Sequence, residues 1–395
     1  MKVLHLANYF FPEYSGATTR LYNIISRLPF DVQVLTSNRL IKGDVVSPER
    51  EQFGNITVNR LPLMFGAAGR KNHFWNSMNA IRRDRETLAG FALKQEFDFL
   101  HAHNSVVFGQ TAAQIAGKMS RPFVLEYHGL AHESVSGLLK GIKTYYIQRT
   151  DRDIMGKCAH IITLTDHLKE WIIKFYRVPD SRITVVPNGV DIKRFAPARE
   201  YIDRAAELKK GLGIEGRVVM YAGVMDMING IDSLAAAASQ IIPENPQVCF
   251  VFVGGPADYK SLGALGSQFP KNVKLVPGVS YDDMPSYYEM CDIFVIPRPP
   301  TISAETIVPL KLIEVMAMGK SVVASDVGGL AEVIKHGENG YLFRKGDAAS
   351  LKKTLLAALE ADNKQIGLNA RKAVVEKYSW DKSVETLLQV YKKLV

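Results

Sequence analysis

A carboxylate at Glu314 lies inside a segment, Thr306 to Phe343, whose residue order suits the binding of phosphates and sugar hydroxyls. Apolar residues at Leu312, Ile313, Val315, Met316 and Met318 predict a helix over Lys311 to Met318, and Gly319 suits the left-handed residue that ends it. A helix start aims its backbone amides at the preceding loop, so the loop Ile307, Val308 and Leu310 is expected to meet phosphate and hydroxyl groups, with Glu314 behind it. Pro309 removes one of those amides. Lys311 and, just past the predicted strand Ile293 to Ile296, Arg298 are the cations that fit phosphate oxygens. The alternative for each is an ordinary surface charge. A second group of chemical residues lies earlier. His128 follows the predicted strand Phe123 to Tyr127 and precedes Gly129, which places its ring in a loop at a strand end. His101 and His103, in HAHN, follow the preceding strand and are expected to orient a loop or to pack. Gly16 is the glycine at which a ligand approaches the backbone closely, or else a turn residue.

The elements that must hold these residues alternate. Short β-rich runs at Val3 to Ala7, Val32 to Thr36, Thr57 to Leu61, Phe99 to Ala102, Phe123 to Tyr127, Ile161 to Thr165 and Thr184 to Val186 are separated by helical stretches. A second series covers Val218 to Ala222, Val248 to Val253, Val273 to Val276, Ile293 to Ile296, Ser321 to Ala324 and Tyr341 to Phe343. Such alternation predicts βαβ units and two parallel sheets, hence an α/β chain of two Rossmann-like domains. Ligands of open parallel sheets sit beyond the carboxyl ends of the strands, so two such domains are expected to face a central cleft. Asp191 to Gly216 reads as a linker and lead-in helix. Asn229 and Gly230 form the expected turn before a helix at Ile231 to Ala238. No GxGxxG fingerprint or GxxxxGK[ST] loop is present, which argues against a dehydrogenase and a P-loop kinase.

Composition agrees with a globular chain of about two domains: 395 residues, 47% hydrophobic and 23% charged. No apolar run approaches the roughly 18 residues of a membrane span. Cys158, Cys249 and Cys291 are isolated among apolar neighbours, as in a reducing compartment, and the cytoplasm is the expected location. The net charge of +9 is uneven: 24 Lys and Arg against 16 Asp and Glu in residues 1–187 leave 25 against 24 for the remainder. The surplus concentrates in Arg70 to Arg85, where Phe74, Trp75, Met78 and Ile81 recur at helical spacing among Arg70, Lys71, Arg82, Arg83 and Arg85. A basic helix of this kind fits an anionic membrane surface, with peripheral attachment on the inner face of the cell membrane, or an anionic acceptor, or simply a solvated face. Nucleic acid is not an expected partner, because no recognised binding motif accompanies the charge.

With those residues in view, the chain resembles glycosyltransferase family 4, the retaining nucleotide-sugar transferases of the GT-B fold. The resemblance rests on PEYSGATTR at Pro12 to Arg20, EYHG at Glu126 to Gly129, VPNGVD at Val186 to Asp191 and YAGVMDMINGIDSL at Tyr221 to Leu234. VPGVSYDDMPSYYEMCDIFVIP at Val276 to Pro297, the segment around Glu314 and YSWDKSVETLLQVY at Tyr378 to Tyr391 complete it. It implies an acceptor-binding domain at 1–195, a nucleotide-sugar-binding domain at 196–377 and a helix at 378–395 that returns to the first domain. It further implies transfer of a sugar from a nucleoside diphosphate to a hydroxyl of a glycan or lipid-linked acceptor, with retention and without a metal or added cofactor.

Residue by residue, the resemblance assigns Glu314 to the second glutamate of the family's Glu-x7-Glu motif, which accepts ribose hydroxyls, and His128 to the active-site histidine near the transferred sugar. The first glutamate falls on Thr306, a catalytic position in the family, and Glu305 lies one residue out of register. Either the Thr306 hydroxyl meets the donor sugar, or a local bulge restores Glu305. The family's phosphate-binding Arg and Lys fall on Val224 and Asn229, so both charges are absent, and more of the diphosphate is assigned to Lys311, Arg298 and helix-terminal amides. Those departures keep two other readings open: a catalytically silent nucleotide-sugar-binding scaffold, and a nucleotide-sugar epimerase of the same fold.

Overall fold

The computed structural model describes residues 1–40, 44–46, 48–64, 74–129, 140–255 and 259–395. The chain divides into two compact units, Met1–Asn188 with Trp380–Val395, and Gly189–Ser379. Residues 189–195, expected with the first domain, therefore belong to the second unit.

The first unit is built on strands β1 (Val3–Leu6), β2 (Val32–Ser37), β3 (Arg50–Phe53), β4 (Ile56–Leu61), β5 (Phe99–His103), β6 (Phe123–Glu126), β7 (His160–Thr163) and β8 (Ile183–Val185). They form one sheet in the order β3-β4-β2-β1-β5-β6-β7-β8. Every pairing is parallel except β3 with β4. That antiparallel edge was absent from the sequence reading, and the alternation of exposed and half-buried residues along β3 explains why: REQF has no apolar run to reveal it. The central strands are buried on both faces, and their polar members His5, His101, His103 and Glu126 are buried with the apolar ones. Helices α1 (Gly16–Ile25), α2 (Phe74–Ala92), α3 (Gln110–Met119), α4 (Lys140–Lys157) and α5 (Asp166–Tyr176) connect them. Local chemistry sets the helix starts. Ser15 and Thr18 form a reciprocal capping box on α1, and Thr165 caps α5.

The second unit carries β9 (Arg217–Val224), β10 (Val248–Gly255), β11 (Val273–Val276), β12 (Ile293–Ile296), β13 (Ser321–Ser325) and β14 (Tyr341–Phe343). Their order is β11-β10-β9-β12-β13-β14, parallel throughout. Its helices are α6 (Arg199–Gly211), α7 (Ile231–Ile241), α8 (Lys260–Gln268), α9 (Met284–Met290), α10 (Ile302–Thr306), α11 (Leu310–Ala317), α12 (Gly328–Ala331), α13 (Ala348–Glu360) and α14 (Lys364–Lys377). Gly319, just past α11, has φ +71, the left-handed conformation foreseen for it.

The chain returns to the first unit with α15 (Trp380–Tyr391). Its buried Tyr391 meets Phe99 edge to face at 4.8 Å, Asp381 pairs at 3.3 Å with Arg27, just past α1, and Ser383 donates to the Pro187 carbonyl at 2.9 Å. Burial of Trp380, Leu387, Val390 and Tyr391 supplies most of the attachment, since an exposed ion pair is worth about 0–1 kcal/mol. All three cysteines are free and buried. No helix among the described residues is long and apolar enough to cross a membrane.

Candidate active site

In the second unit the chemical residues gather around the carboxyl ends of β9 and β12 and the start of α11. Here the backbone makes room for side chains. Gly223, at the end of β9, has φ +131, and a Cβ on it would collide with the Lys311 ammonium. Gly230, with φ +77, turns the chain into α7, where a Cβ would overlap the Pro297 carbonyl. Gly223 thus lets Lys311 approach β9, and Gly230 lets the β12 loop approach the turn into α7.

Lys311 Nζ donates to the Tyr221 hydroxyl at 3.2 Å and lies 4.6 Å from the centre of that ring. Burial lowers its pKa to about 7; the nearby Arg298 charge adds to the drop, against opposing contributions from Glu314 and Asp226. Arg298, half-buried, donates to the Ile307 carbonyl at 3.4 Å; burial lowers its pKa, and Tyr221 and Asp226 oppose the shift. Among the described residues, Lys311 is thus bonded to a phenol and Arg298 to a carbonyl. Two neighbouring cations in a partly desolvated site, neither bonded to a carboxylate, form a place where an anion is stabilised.

Glu314 lies one turn along α11 from Lys311 and is buried. Its Oε1 accepts from the Tyr281 hydroxyl at 3.1 Å and its Oε2 from Tyr288 at 3.0 Å. Burial raises its pKa, while those two hydrogen bonds, Lys311 and Arg194 pull in the other direction. Arg194 in turn stacks 4.4 Å over Tyr281 and pairs with Asp282. Sequence reasoning did not single out the two tyrosines. A carboxylate offers about four lone-pair sites, so two hydroxyl partners leave acceptor capacity for a ligand.

Thr306 is buried, and its hydroxyl donates to the Ile302 carbonyl at 2.9 Å, within the single turn of α10. Glu305 has other work: Oε2 accepts from the Gly328 amide at 2.6 Å, and Oε1 meets Lys345 Nζ at 2.5 Å. It caps α12. The loop residues behave individually. Val308 is packed in the core, Ile307 offers its carbonyl to Arg298, and Leu310 and Lys311 stand at the first two helical positions of α11, where amides have no intrahelical acceptor. Asn229 directs both its backbone N–H and its side-chain amide to Asp226 Oδ1 at 2.8 Å, so it stabilises the turn. Val224 is exposed, as are Met227 and Ile228. Thus Lys311, Arg298 and Glu314 are brought together, with Asn229 beside them holding the loop.

In the first unit His128 heads a buried polar network. Its Nε2 lies 2.6 Å from Glu126 Oε1, which also accepts from Arg20 Nε at 2.9 Å. His101 Nε2 is 3.3 Å from Glu126 Oε2, and His103 Nε2 is 3.0 Å from His5 Nδ1. Burial works to raise the Glu126 pKa, but Arg20, His103 and hydrogen bonds from the histidines outweigh it and hold the carboxyl well below its usual range. Burial also drives His103 down to about 4 and His5 well below its usual value. Gly16 is at the first position of α1 and is exposed. His101 and His103 pack as foreseen. Arg20, Glu126, His5 and Tyr391 were missed, although period-two alternation in HAH and EYH points the polar side chains of adjacent strands to one face.

The family resemblance implies no metal, yet folding brings ligand atoms of His5, His101 and His103, and of His103, Glu126 and His128, within 4.8 Å of one another. The donor types suit a divalent ion. In this arrangement His101 and His103 stack at 4.5 Å and 11°, and His5 Nδ1 and His103 Nε2 are hydrogen bonded to each other, which occupies one ring nitrogen of each.

The family model for Glycosyltransferase Family 4 matches residues 14–194, and that for Glycosyl transferases group 1 matches residues 216–361. Spore coat protein SA of Bacillus subtilis is 27% identical over 79% of this chain and 82% of its own length. The Escherichia coli UDP-Gal:alpha-D-GlcNAc-diphosphoundecaprenol alpha-1,3-galactosyltransferase is 28% identical over 76% of this chain and 77% of its own. Among solved structures, sucrose-phosphate synthase from Thermosynechococcus elongatus superposes with a TM-score of 0.81 at 19% identity, covering 100% of this chain and 98% of that one. The Anabaena protein HepE in complex with UDP gives 0.75 at 19%, with both chains fully covered. The fold is therefore GT-B, and the chain joins a Glycosyltransferase Family 4 domain to a Glycosyl transferases group 1 domain.

Proposed function

We propose that this glycosyltransferase moves a sugar from a nucleoside-diphosphate sugar to a hydroxyl of a glycan or lipid-linked acceptor, with retention at the anomeric carbon. The observation that carries the reading is the pair Lys311 and Arg298, two neighbouring cations without a bonded carboxylate among the described residues, at the start of α11. A diphosphate supplies the missing negative charge. Glu314, held by Tyr281 and Tyr288, has lone pairs left for ribose hydroxyls. HepE is described in complex with UDP-glucose, and the E. coli relative is named for a UDP-galactose donor and a diphosphoundecaprenol acceptor; both support a nucleotide-sugar donor, and the latter a lipid-linked acceptor.

In this reading the bond from the anomeric carbon to the leaving phosphate oxygen breaks, the acceptor oxygen bonds to the same face of that carbon, and the acceptor proton passes to the departing phosphate. Little base catalysis is required. Rate then comes from positioning and from charge stabilisation on the leaving group, which is the work assigned to Lys311, Arg298 and the α11 amides. No metal or added cofactor takes part. The cytoplasmic face of a membrane is the proposed site of action, reached through the basic stretch Arg70 to Arg85; Arg70 to His73 lie outside the described residues, while Arg82 and Arg83 are exposed. A screen of UDP-, GDP- and ADP-sugars for hydrolysis and transfer tests the activity. Absence of turnover with every donor, together with no effect of Glu314→Ala, refutes it.

One observation favours a second reading, a nucleotide-sugar-binding protein without transfer: the first-glutamate position carries a threonine bonded to its own helix, and Glu305 is engaged elsewhere. Tight nucleoside diphosphate binding with no transfer to any acceptor would select it.

A further inference from the structure

Four imidazoles and one carboxylate share a face of the first unit's sheet. Strand register sets Glu126 opposite His103, and His101 opposite His5. Two residues beyond Glu126, His128 falls on the same side, and its ring is the most exposed of the cluster, at 16% against 0% for His101 and 7% for His103. Arg20 fixes the carboxylate from α1. Besides its 2.9 Å bond to Glu126, the buried guanidinium donates to the carbonyls of Val186 at 2.8 Å and Pro187 at 2.9 Å and to Asn188 Oδ1 at 3.3 Å. A fork tied at that many points holds Glu126 against His128 at 2.6 Å.

We propose that Glu126, clamped by Arg20, is a positioning residue that holds His128 as its Nε2–H tautomer and so presents Nδ1 as an acceptor for a substrate sugar hydroxyl. An ionised carboxylate has only lone pairs, so the nitrogen facing it carries the proton. In a neutral imidazole the other nitrogen is then the acceptor, and Nδ1 of His128 has no hydrogen-bond partner among the described residues. An acceptor nitrogen matches a hydroxyl and repels a phosphate oxygen. The groups facing this pair are His101 and His103 from β5, His5 from β1, Arg20 from α1 and, one step behind, Tyr391 from α15, whose hydroxyl is 2.5 Å from His101 Nδ1 and 3.5 Å from His5 Nε2. None offers Glu126 a second anion to compete with, so the carboxylate remains the group that sets the tautomer.

The contact with a sugar rests on the proposed function; the tautomer does not, and one experiment separates them. Imidazole ¹⁵N NMR of the full chain at pH 7.5, with His128 assigned by its loss in His128→Gln, should show a protonated Nε2 and an unprotonated Nδ1. Glu126→Gln should mix the tautomers and lower kcat about 10- to 100-fold with donor KM little changed. Because that variant strands the Arg20 charge, the doubly neutral Arg20→Gln, Glu126→Gln chain carries the test if the single variant does not fold. An Nδ1–H signal in the native chain, or an unchanged tautomer in both variants, overturns the positioning role. Native turnover in His128→Gln overturns the sugar contact alone.

Discussion

Lys311 lies over the face of Tyr221, its ammonium 4.6 Å from the ring centre and 3.2 Å from the phenol oxygen. A ring face and a neutral hydroxyl stabilise an ammonium less than a carboxylate does, and its pKa of about 7 reflects that, with burial the largest cause and Arg298 the next. The unfolded chain holds this proton up to about pH 10.4. Between pH 7 and 10 the unfolded state therefore binds more protons than the folded one, and this group makes stability rise with pH in that window. Thermal melts of the ligand-free protein should show Lys311→Met more stable than the native chain at pH 7 and with a flatter rise towards pH 9. A steeper rise in the variant contradicts the assignment.

Glu314→Gln keeps the shape but weakens the acceptors of two buried tyrosine hydroxyls. We expect kcat/KM to fall by roughly 2–4 kcal/mol of transition-state stabilisation and stability by about 1–3 kcal/mol. Steady-state kinetics and denaturant titration measure the two losses separately. A loss of stability with native kcat/KM would confine Glu314 to a structural role.

Thr306→Ala should change kcat/KM by less than about threefold while costing about 0.5–1.5 kcal/mol of stability, because the hydroxyl is bonded to Ile302 and not held out to a ligand. Glu305→Ala should cost about 0.5–2 kcal/mol through loss of the cap on α12. A large drop in turnover for Thr306→Ala, with stability intact, would restore the catalytic role implied by its motif position.

How far these roles could be read from residues alone depended on the range of the interactions. Parallel sheets, the helix ended by Gly319 and the acid at Glu314 are local patterns, so periodicity and caps revealed them. Edge strand β3 lacked an apolar signature and stayed hidden. Glu305 was ambiguous in sequence because its function depends on Gly328 and Lys345, far along the chain. Arg20, Glu126 and Tyr391 meet only through strand register and the return of α15, and no spacing within one segment announces that.

The exposed Arg82 and Arg83 of α2 provide a test of membrane attachment. Sedimentation with vesicles containing anionic lipid should show binding that weakens as salt rises and falls clearly for the Arg82→Glu, Arg83→Glu chain. Equal sedimentation with neutral and anionic vesicles would count against attachment through this surface.

Calorimetric titration of UDP, GDP and ADP into the native chain and into Lys311→Met is the most direct test of the central claim, that the second unit holds a nucleoside diphosphate through Lys311 and Arg298. One of the three should bind at pH 7, with proton uptake growing between pH 7 and 9 as the lysine is recharged, and Lys311→Met should bind it about 10- to 100-fold more weakly. No binding of any of the three, or equal affinity in the two proteins without proton uptake, would contradict it.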